Sequence, residues 1–369
     1  MQSENRSSEI DINEQTSLST PRAQGTGTSK DSDTSNQDST NRVLGIFTAA
    51  KRDGRPINVS APMVRYSKLP FRLVAREYGT DIAYTPMILA HEFIRSQIAR
   101  DSDFTTSPLE RQPTSDGRQH ALIAQFASSD PVELARAAEI IAPWVDGVDL
   151  NCGCPQSWAM KEGIGCSLMS NPDLVVEMVR AARKRLNPLQ SVSVKIRIHK
   201  DLSETIAWVK TVQEAGVTYI TVHGRTRSQR SSTPPDYEAI RQLRQHIHVP
   251  VVANGDAYTL ADVHKIAKLT EADGVMAARG ILENPAMFAG HDVTPAECVH
   301  RLLGYCMRCP MPFPLVLHHV SEMTARMPGM NKKEKRRLME CQDLLDLVDY
   351  VETSWGAYDL VHISDHKGP

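Results

Sequence analysis

The 369-residue sequence contains no run of about 18 apolar residues, so no membrane-spanning helix is expected. Its opening stretch, MQSENRSSEI, has neither the basic start nor the apolar segment of an export leader, and none is expected. The seven cysteines are an odd number, and Cys152 and Cys154 stand one residue apart. That spacing does not suit a disulfide framework; reduced thiols and an intracellular setting, cytoplasmic and/or nuclear, are expected. A large excess of one charge is also missing. The net charge is −2, so the whole chain does not announce a nucleic-acid partner. What remains is 41% hydrophobic and 23% charged, which suits a globular protein with a core.

The charge is unevenly spread. Residues 1–41 carry three Lys/Arg and seven Asp/Glu, so they hold −4 and the remainder +2. Residues 1–45 are polar and lack aliphatic periodicity, which predicts a disordered tail with no catalytic role. From Ile57 onward, eight short apolar runs recur: NVSA at 58–61, DIAYT at 81–85, ALIAQF at 121–126, GVDL at 147–150, SVSVKI at 191–196, YITV at 219–222, VPVVA at 249–253 and DGVMA at 273–277. Continuous apolar character marks strands covered on both faces, as parallel strands are. Helical patterns separate them. One opens on Asn171 with Pro172 at its first position, one stops at Gly216, and one spans Thr259 to Leu269. Eight such units over about 230 residues predict a (β/α)8 TIM barrel at 46–290. The alternative, an open doubly wound sheet, would carry a GxGxxG turn after its first strand, and none is present. Beyond 290 the pattern turns helical, predicting a small domain at 291–369 with helices over 294–309, 315–327 and 332–352.

Barrel chemistry sits where the strands end. The residues there are Pro62-Met63, Thr85-Pro86, Gln125, Asn151 to Pro155, Lys195 to Arg197, His223 to Arg225, Asn254 to Asp256 and Arg279-Gly280. A lysine, arginines, a histidine, asparagines and a cysteine on one rim predict a polar pocket. Asn254-Gly255-Asp256 and Arg279-Gly280 fall after strands seven and eight, a frequent phosphate site in barrels, with Glu283-Asn284-Pro285 expected to open an extra helix. A phosphate-bearing ligand is expected.

The motifs APMVRYSKLPFR (61–72), LIAQF (122–126), DLNCGCPQ (149–156), GIGCSLM (163–169), VKIRI (194–198), TVHGRTR (221–227), VVANGD (251–256) and MAARGILENP (276–285) resemble those of tRNA-dihydrouridine synthases in order and spacing. The first motif is most similar to the eukaryotic branch acting on uridines 20a and 20b of the tRNA D-loop. The resemblance implies an FMN-binding barrel followed by a helical tRNA-binding domain, with NADPH or NADH as a transient reductant. It implies Pro62, Met63 and Val64 along the flavin, Gln125 and Lys195 at its polar ring edge, and His223 near it. Asn254, Gly255, Asp256, Ala278 and Arg279 would hold its phosphate. Cys154 corresponds to the family's catalytic acid, and Cys152 to a variable position. Reduction of the uracil C5=C6 bond leaves carbanion character at C5, and a thiol, protonated at neutral pH, can quench it. Asn151, Arg197 and Arg225 are candidates for substrate contacts. No resident metal is expected, and a monomer is.

Two other readings remain open at this level. An FMN barrel acting on a small pyrimidine-like molecule would need neither the helical extension nor its basic stretch, KKEKRR at 332–337. A non-catalytic tRNA-binding protein would have no need of Cys154 or the phosphate loops. Cys306-x-x-Cys309, with His300 or Cys341, also invites a zinc reading, but no second CxxC pair follows.

Overall fold

The computed structural model describes residues 41–114 and 117–356. The expected tail lies outside the described residues except at its end, where the expectation fails. Residues 42–45 are helical, because Asn41 accepts the Leu44 amide at 3.2 Å and caps the helix Arg42–Arg52. This helix buries Val43, Ile46, Phe47 and Ala50, a spacing of three, one and three that faces one side. They pack with Ile57, Val59, Ile82, Tyr84, Tyr219 and Val252, so the helix covers the N-terminal end of the strands.

All eight expected strands form. They are β1 (Ile57–Ser60), β2 (Ile82–Tyr84), β3 (Ala121–Ala127), β4 (Gly147–Cys152), β5 (Ser191–Ile198), β6 (Tyr219–Thr226), β7 (Val251–Asn254) and β8 (Gly274–Ala277). Neighbours run β2-β1-β8-β7-β6-β5-β4-β3, every pairing is parallel, and β2 pairs β3 to close the barrel. A two-residue strand, Ile88–Leu89, adds to the end of β3. Val148, Leu150, Val192, Val194, Ile196, Ile220 and Val222 point outward into a large core shared with the surrounding helices.

The Pro172–Arg185 helix starts as expected, with Asn171 accepting the Leu174 amide at 3.2 Å. Leu260–Thr270 carries a capping box between Thr259 and Asp262. The third C-terminal helix departs from expectation. Residues 332–352 form two helices, Lys332–Met339 and Leu344–Trp355, because Asp343 caps the second by accepting the Leu345 and Asp346 amides. The break lets Leu338, Leu347 and Val351 all enter the core.

The helical segment is anchored on the barrel helix Leu69–Glu77. Arg301 pairs with Glu77 at 3.1 Å, Tyr305 donates to the same carboxylate, and His319 stacks on Phe71 at 5.0 Å. On the same helix Arg72, 1% exposed, forks onto Glu110 at 2.6 and 2.9 Å and donates to the Ser67 and Thr105 carbonyls. Removing one partner of such a buried pair strands the other charge, so Glu110→Ala should cost about 3–5 kcal/mol. A thermal melt should show a midpoint lowered by several degrees; an unchanged midpoint would contradict this assignment.

Candidate active site

A strand alternates its side chains with period two, so in each barrel strand one parity faces inward. The inward set is Gln125 on β3, Asp149 and Asn151 on β4, Ser193, Lys195 and Arg197 on β5, His223 and Arg225 on β6, and Asn254 on β7. Register puts them side by side: Gln125 opposes Asp149, Asn151 opposes Lys195, Arg197 opposes His223, and His223 opposes Asn254. β5 and β6 run to Ile198 and Thr226, so these side chains sit within the strands rather than just past them.

The Cys154 loop follows β4. Asn151 Oδ1 accepts the Gly153 amide at 3.1 Å and the Cys154 amide at 2.8 Å, while its Nδ2 donates to Gln125 Oε1 at 2.9 Å. From below, the Cys166 amide donates to the Cys154 carbonyl at 2.9 Å. Gly165, at φ +64°, presses against this turn: a Cβ there would lie 2.6 Å from the Cys154 oxygen. Arg197 donates to the Gly153 carbonyl at 3.1 Å and the Thr226 carbonyl at 2.9 Å, tying the loop after β4 to the end of β6. Cys154 is half-buried, whereas Cys152 is fully buried and its thiol is held well above its ordinary range by desolvation. Cys154 is therefore the thiol that can be reached.

Beside this loop lies a cavity of about 200 Å³ lined by Arg197, His223, Asn254, Gly255, Ala278 and Arg279. Gly280 and Ala257, both in its lining, meet backbone to backbone: a Cβ on Gly280 would lie 2.1 Å from the Ala257 carbonyl oxygen. The extra helix is present but opens earlier than expected, at Arg279 with Ala278 as its cap, and closes at Glu283. Asp256 binds both Arg225 and Arg279, the latter at 2.5 Å. Arg279 also lies 5.4 Å over the Tyr258 ring and leaves its side chain 46% exposed. Pro62 and Met63 are half-buried at the end of β1, and Val64 is 55% exposed.

The electrostatics favour an anion. Burial and the neighbouring Arg197 push the Lys195 ammonium down to about 8. Lys195 donates to Asn254 Oδ1 at 2.9 Å, and Asn254 donates to the Met276 carbonyl at 2.9 Å. Burial pushes the His223 imidazolium down to about 2, helped by Lys195, Arg197, Arg225 and Arg279. His223 is thus neutral at physiological pH. Since Arg225 can only donate, its 3.3 Å contact makes His223 Nε2 an acceptor and leaves the proton on Nδ1.

Two expected substrate contacts look different in place. Arg225 is 2% exposed, with its guanidinium committed to the Ser231 and Thr233 carbonyls and Asp256. Asn151 is 8% exposed, and its side chain is committed to the Cys154 turn. Asn254, expected at a phosphate, accepts from Lys195 in this structure. Sequence reasoning overlooked Asp149, which is fully buried beneath Gln125; the signal was an acid inside an otherwise apolar strand. Among the described residues no three His, Cys, Asp or Glu gather as a metal site, so the zinc reading of Cys306 and Cys309 finds no support there. All seven cysteines are free, and no described helix is long and apolar enough to cross a membrane.

His223 predicts an acid-side instability. Its folded value lies below the ordinary 6.5, so the unfolded chain binds more protons between about 2 and 6.5. The stability it supports is complete above 6.5 and declines as pH falls towards 2. His223→Gln should flatten that acid limb in denaturant titrations from pH 7 to 4; an unchanged slope would show that the imidazole titrates normally.

Residues 59–349 match the family model described as dihydrouridine synthase. The tRNA-dihydrouridine(20a/20b) synthase [NAD(P)+] of Schizosaccharomyces pombe is 45% identical over 81% of this chain and 87% of its own length. The corresponding Saccharomyces cerevisiae protein is 40% identical over 83% of this chain and 82% of its own. A Mus musculus tRNA-dihydrouridine(20a/20b) synthase [NAD(P)+]-like protein is 42% identical over 82% and 90%. With a match across that much of the barrel and the C-terminal helices, the chain belongs to the dihydrouridine synthase family of oxidoreductases.

Proposed function

We propose that the protein reduces the C5=C6 bond of D-loop uridines in tRNA, with positions 20a and 20b as its targets, using FMN and NADPH or NADH. The relatives' specificity supports the position, and the observation carrying the chemistry is the half-buried Cys154 fixed on the rim beside an anion-attracting cavity.

The residues present suit FMN. The cavity offers glycine-permitted backbone at Gly255 and Gly280, the cap at Ala278, and the half-exposed Arg279 guanidinium for a phosphate. The inward Gln125 and Lys195, with neutral His223, would meet the polar edge of the ring, and Pro62, Met63 and Val64 would lie along its face. When bound and reduced by NAD(P)H, FMN would supply the reducing equivalents.

The chain's own residues do the rest. Lys195, with its value near 8, supplies positive charge where negative charge accumulates. The Cys154 thiol donates the proton that C5 requires, and Asn151 and Gly165 fix its backbone so that the approach is set before substrate arrives. Arg197 steadies the loop from the β5 side. The uridine must leave the folded tRNA loop to reach this rim. On the Lys332–Met339 helix, Lys332, Lys333 and Lys335 are exposed, as phosphate contacts require.

Dihydrouridine should be mapped position by position in tRNA from cells lacking the gene, rescued with wild type or Cys154→Ala. Wild type should restore positions 20a and 20b, and the variant should fall short by at least about a hundredfold in rate. Unaltered dihydrouridine in the deletion would overturn the tRNA substrate. In vitro, Arg279→Ala should weaken FMN binding about tenfold or more, the worth of one charge-assisted contact, in a fluorescence titration. Unchanged affinity would move the phosphate elsewhere.

A further inference from the structure

Beneath the proposed acid runs a continuous chain of hydrogen bonds that begins at a carboxylate in the barrel core. Asp149 is fully buried. Its Oδ1 accepts from Ser193 Oγ at 2.6 Å, and its Oδ2 accepts from Gln125 Nε2 at 2.9 Å. Gln125 Oε1 then accepts from Asn151 Nδ2 at 2.9 Å. Asn151 Oδ1 in turn accepts the amides of Gly153 and Cys154. The main-chain amide of Gln125 is itself held by Thr85 Oγ1 at 3.1 Å.

The direction of this chain is set by its two ends. A carboxylate can only accept and a backbone N–H can only donate. Between them stand two primary amides, each of which could be turned end for end. Fixing both ends leaves one orientation in which every bond is made; turning either amide sets donor against donor or acceptor against acceptor. Burial pushes the Asp149 carboxyl up to about 6, restrained by Ser193 and Gln125, so it remains mostly ionised at neutral pH and accepts on both oxygens.

We infer that Asp149 is a positioning residue for Cys154: as the acceptor at the foot of the chain through Gln125 and Asn151, it sets the orientation of both amides and so holds the backbone of the Cys154 turn. The same constraint leaves Gln125 one orientation in the barrel interior. The consequence for proton delivery rests on the reading of Cys154 as the acid; the consequence for loop order does not.

The test reverses the chain. Asn151→Asp keeps an acceptor under the Cys154 turn but places carboxylates at both ends of Gln125, which can satisfy only one of them. Adding Asp149→Asn lets the foot donate, so Gln125 turns over and the two bonds it makes reform with opposite direction, while the Gly153 and Cys154 amides still donate to residue 151. In the purified protein, Asn151→Asp alone should raise backbone exchange at Gly153–Cys154 and lower kcat for tRNA uridine reduction, each by about tenfold, the value of one hydrogen bond. The double variant Asp149→Asn/Asn151→Asp should return exchange to within about threefold of wild type, a coupling that independent sites do not show, while kcat stays low because the turned Gln125 amide no longer matches the ring edge it is proposed to meet. Exchange in the double variant as fast as in Asn151→Asp, or faster, overturns the inference. Rescue of exchange without any change of kcat in the single variant also overturns the positioning role. Exchange needs neither cofactor nor tRNA. A wild-type protein that reduces no tRNA uridine would therefore sink the activity while exchange still judged the chain.

Discussion

The structure turns on the closure of a parallel sheet, with β2 paired to β3 so that no edge remains. Closure fixes one inward parity for every strand, and a slip of one residue would reverse it. Outward positions are then aliphatic and pack under helices, and inward positions are freed for polar groups wherever the barrel end opens. Gln125, Asn151, Lys195, His223 and Asn254 occupy neighbouring inward positions of five adjacent strands. At the other end, the Arg42–Arg52 helix covers the interior with Val43, Ile46 and Phe47. The fold therefore has a closed end that supplies stability and an open end that supplies chemistry.

Charge is distributed at the open end with a purpose that follows from desolvation. Arg197, Arg225 and Arg279 line the cavity, Lys195 reaches it through Asn254, and Asp256 compensates only Arg225 and Arg279 directly. Burial, with this field added to it, lowers the proton affinity of the bases here, which is why His223 is neutral and Lys195 sits near 8. A bound phosphate and an electron-rich ring would relieve that field. Cys154 is held by hydrogen bonds to its own backbone and by glycine geometry, and of the four cations only Arg197 reaches its loop, through the Gly153 carbonyl.

Much of this was legible from residue order. The eight strands were readable because buried parallel strands are apolar throughout, and Asn171-Pro172 and Thr259 marked their helices because caps are local chemistry. What depended on distant partners was harder. The start of the fold was set too late, since Asn41 and Val43 acquire meaning only against Tyr84 and Tyr219. The stretch 332–352 read as one helix because the Asp343 cap lies inside an otherwise helical pattern. At the site, position and motif single out residues that the fold brings to one rim, with Arg225 and Asn151 among them as candidates for substrate contact. Their carbonyl and amide partners come from turns that only the folded chain assembles.

The central claim is that Cys154 serves the second half of a two-stage reaction, after NAD(P)H has delivered its electrons. Stopped-flow absorbance of the FMN-loaded protein separates the stages by adding NADPH first and unmodified tRNA afterwards. Cys154→Ala should accept electrons from NADPH at the wild-type rate and pass them to tRNA at least about a hundredfold more slowly, as expected for loss of a positioned acid. Equal rates for wild type and variant in the tRNA stage would contradict the account and assign the proton to another group on the rim.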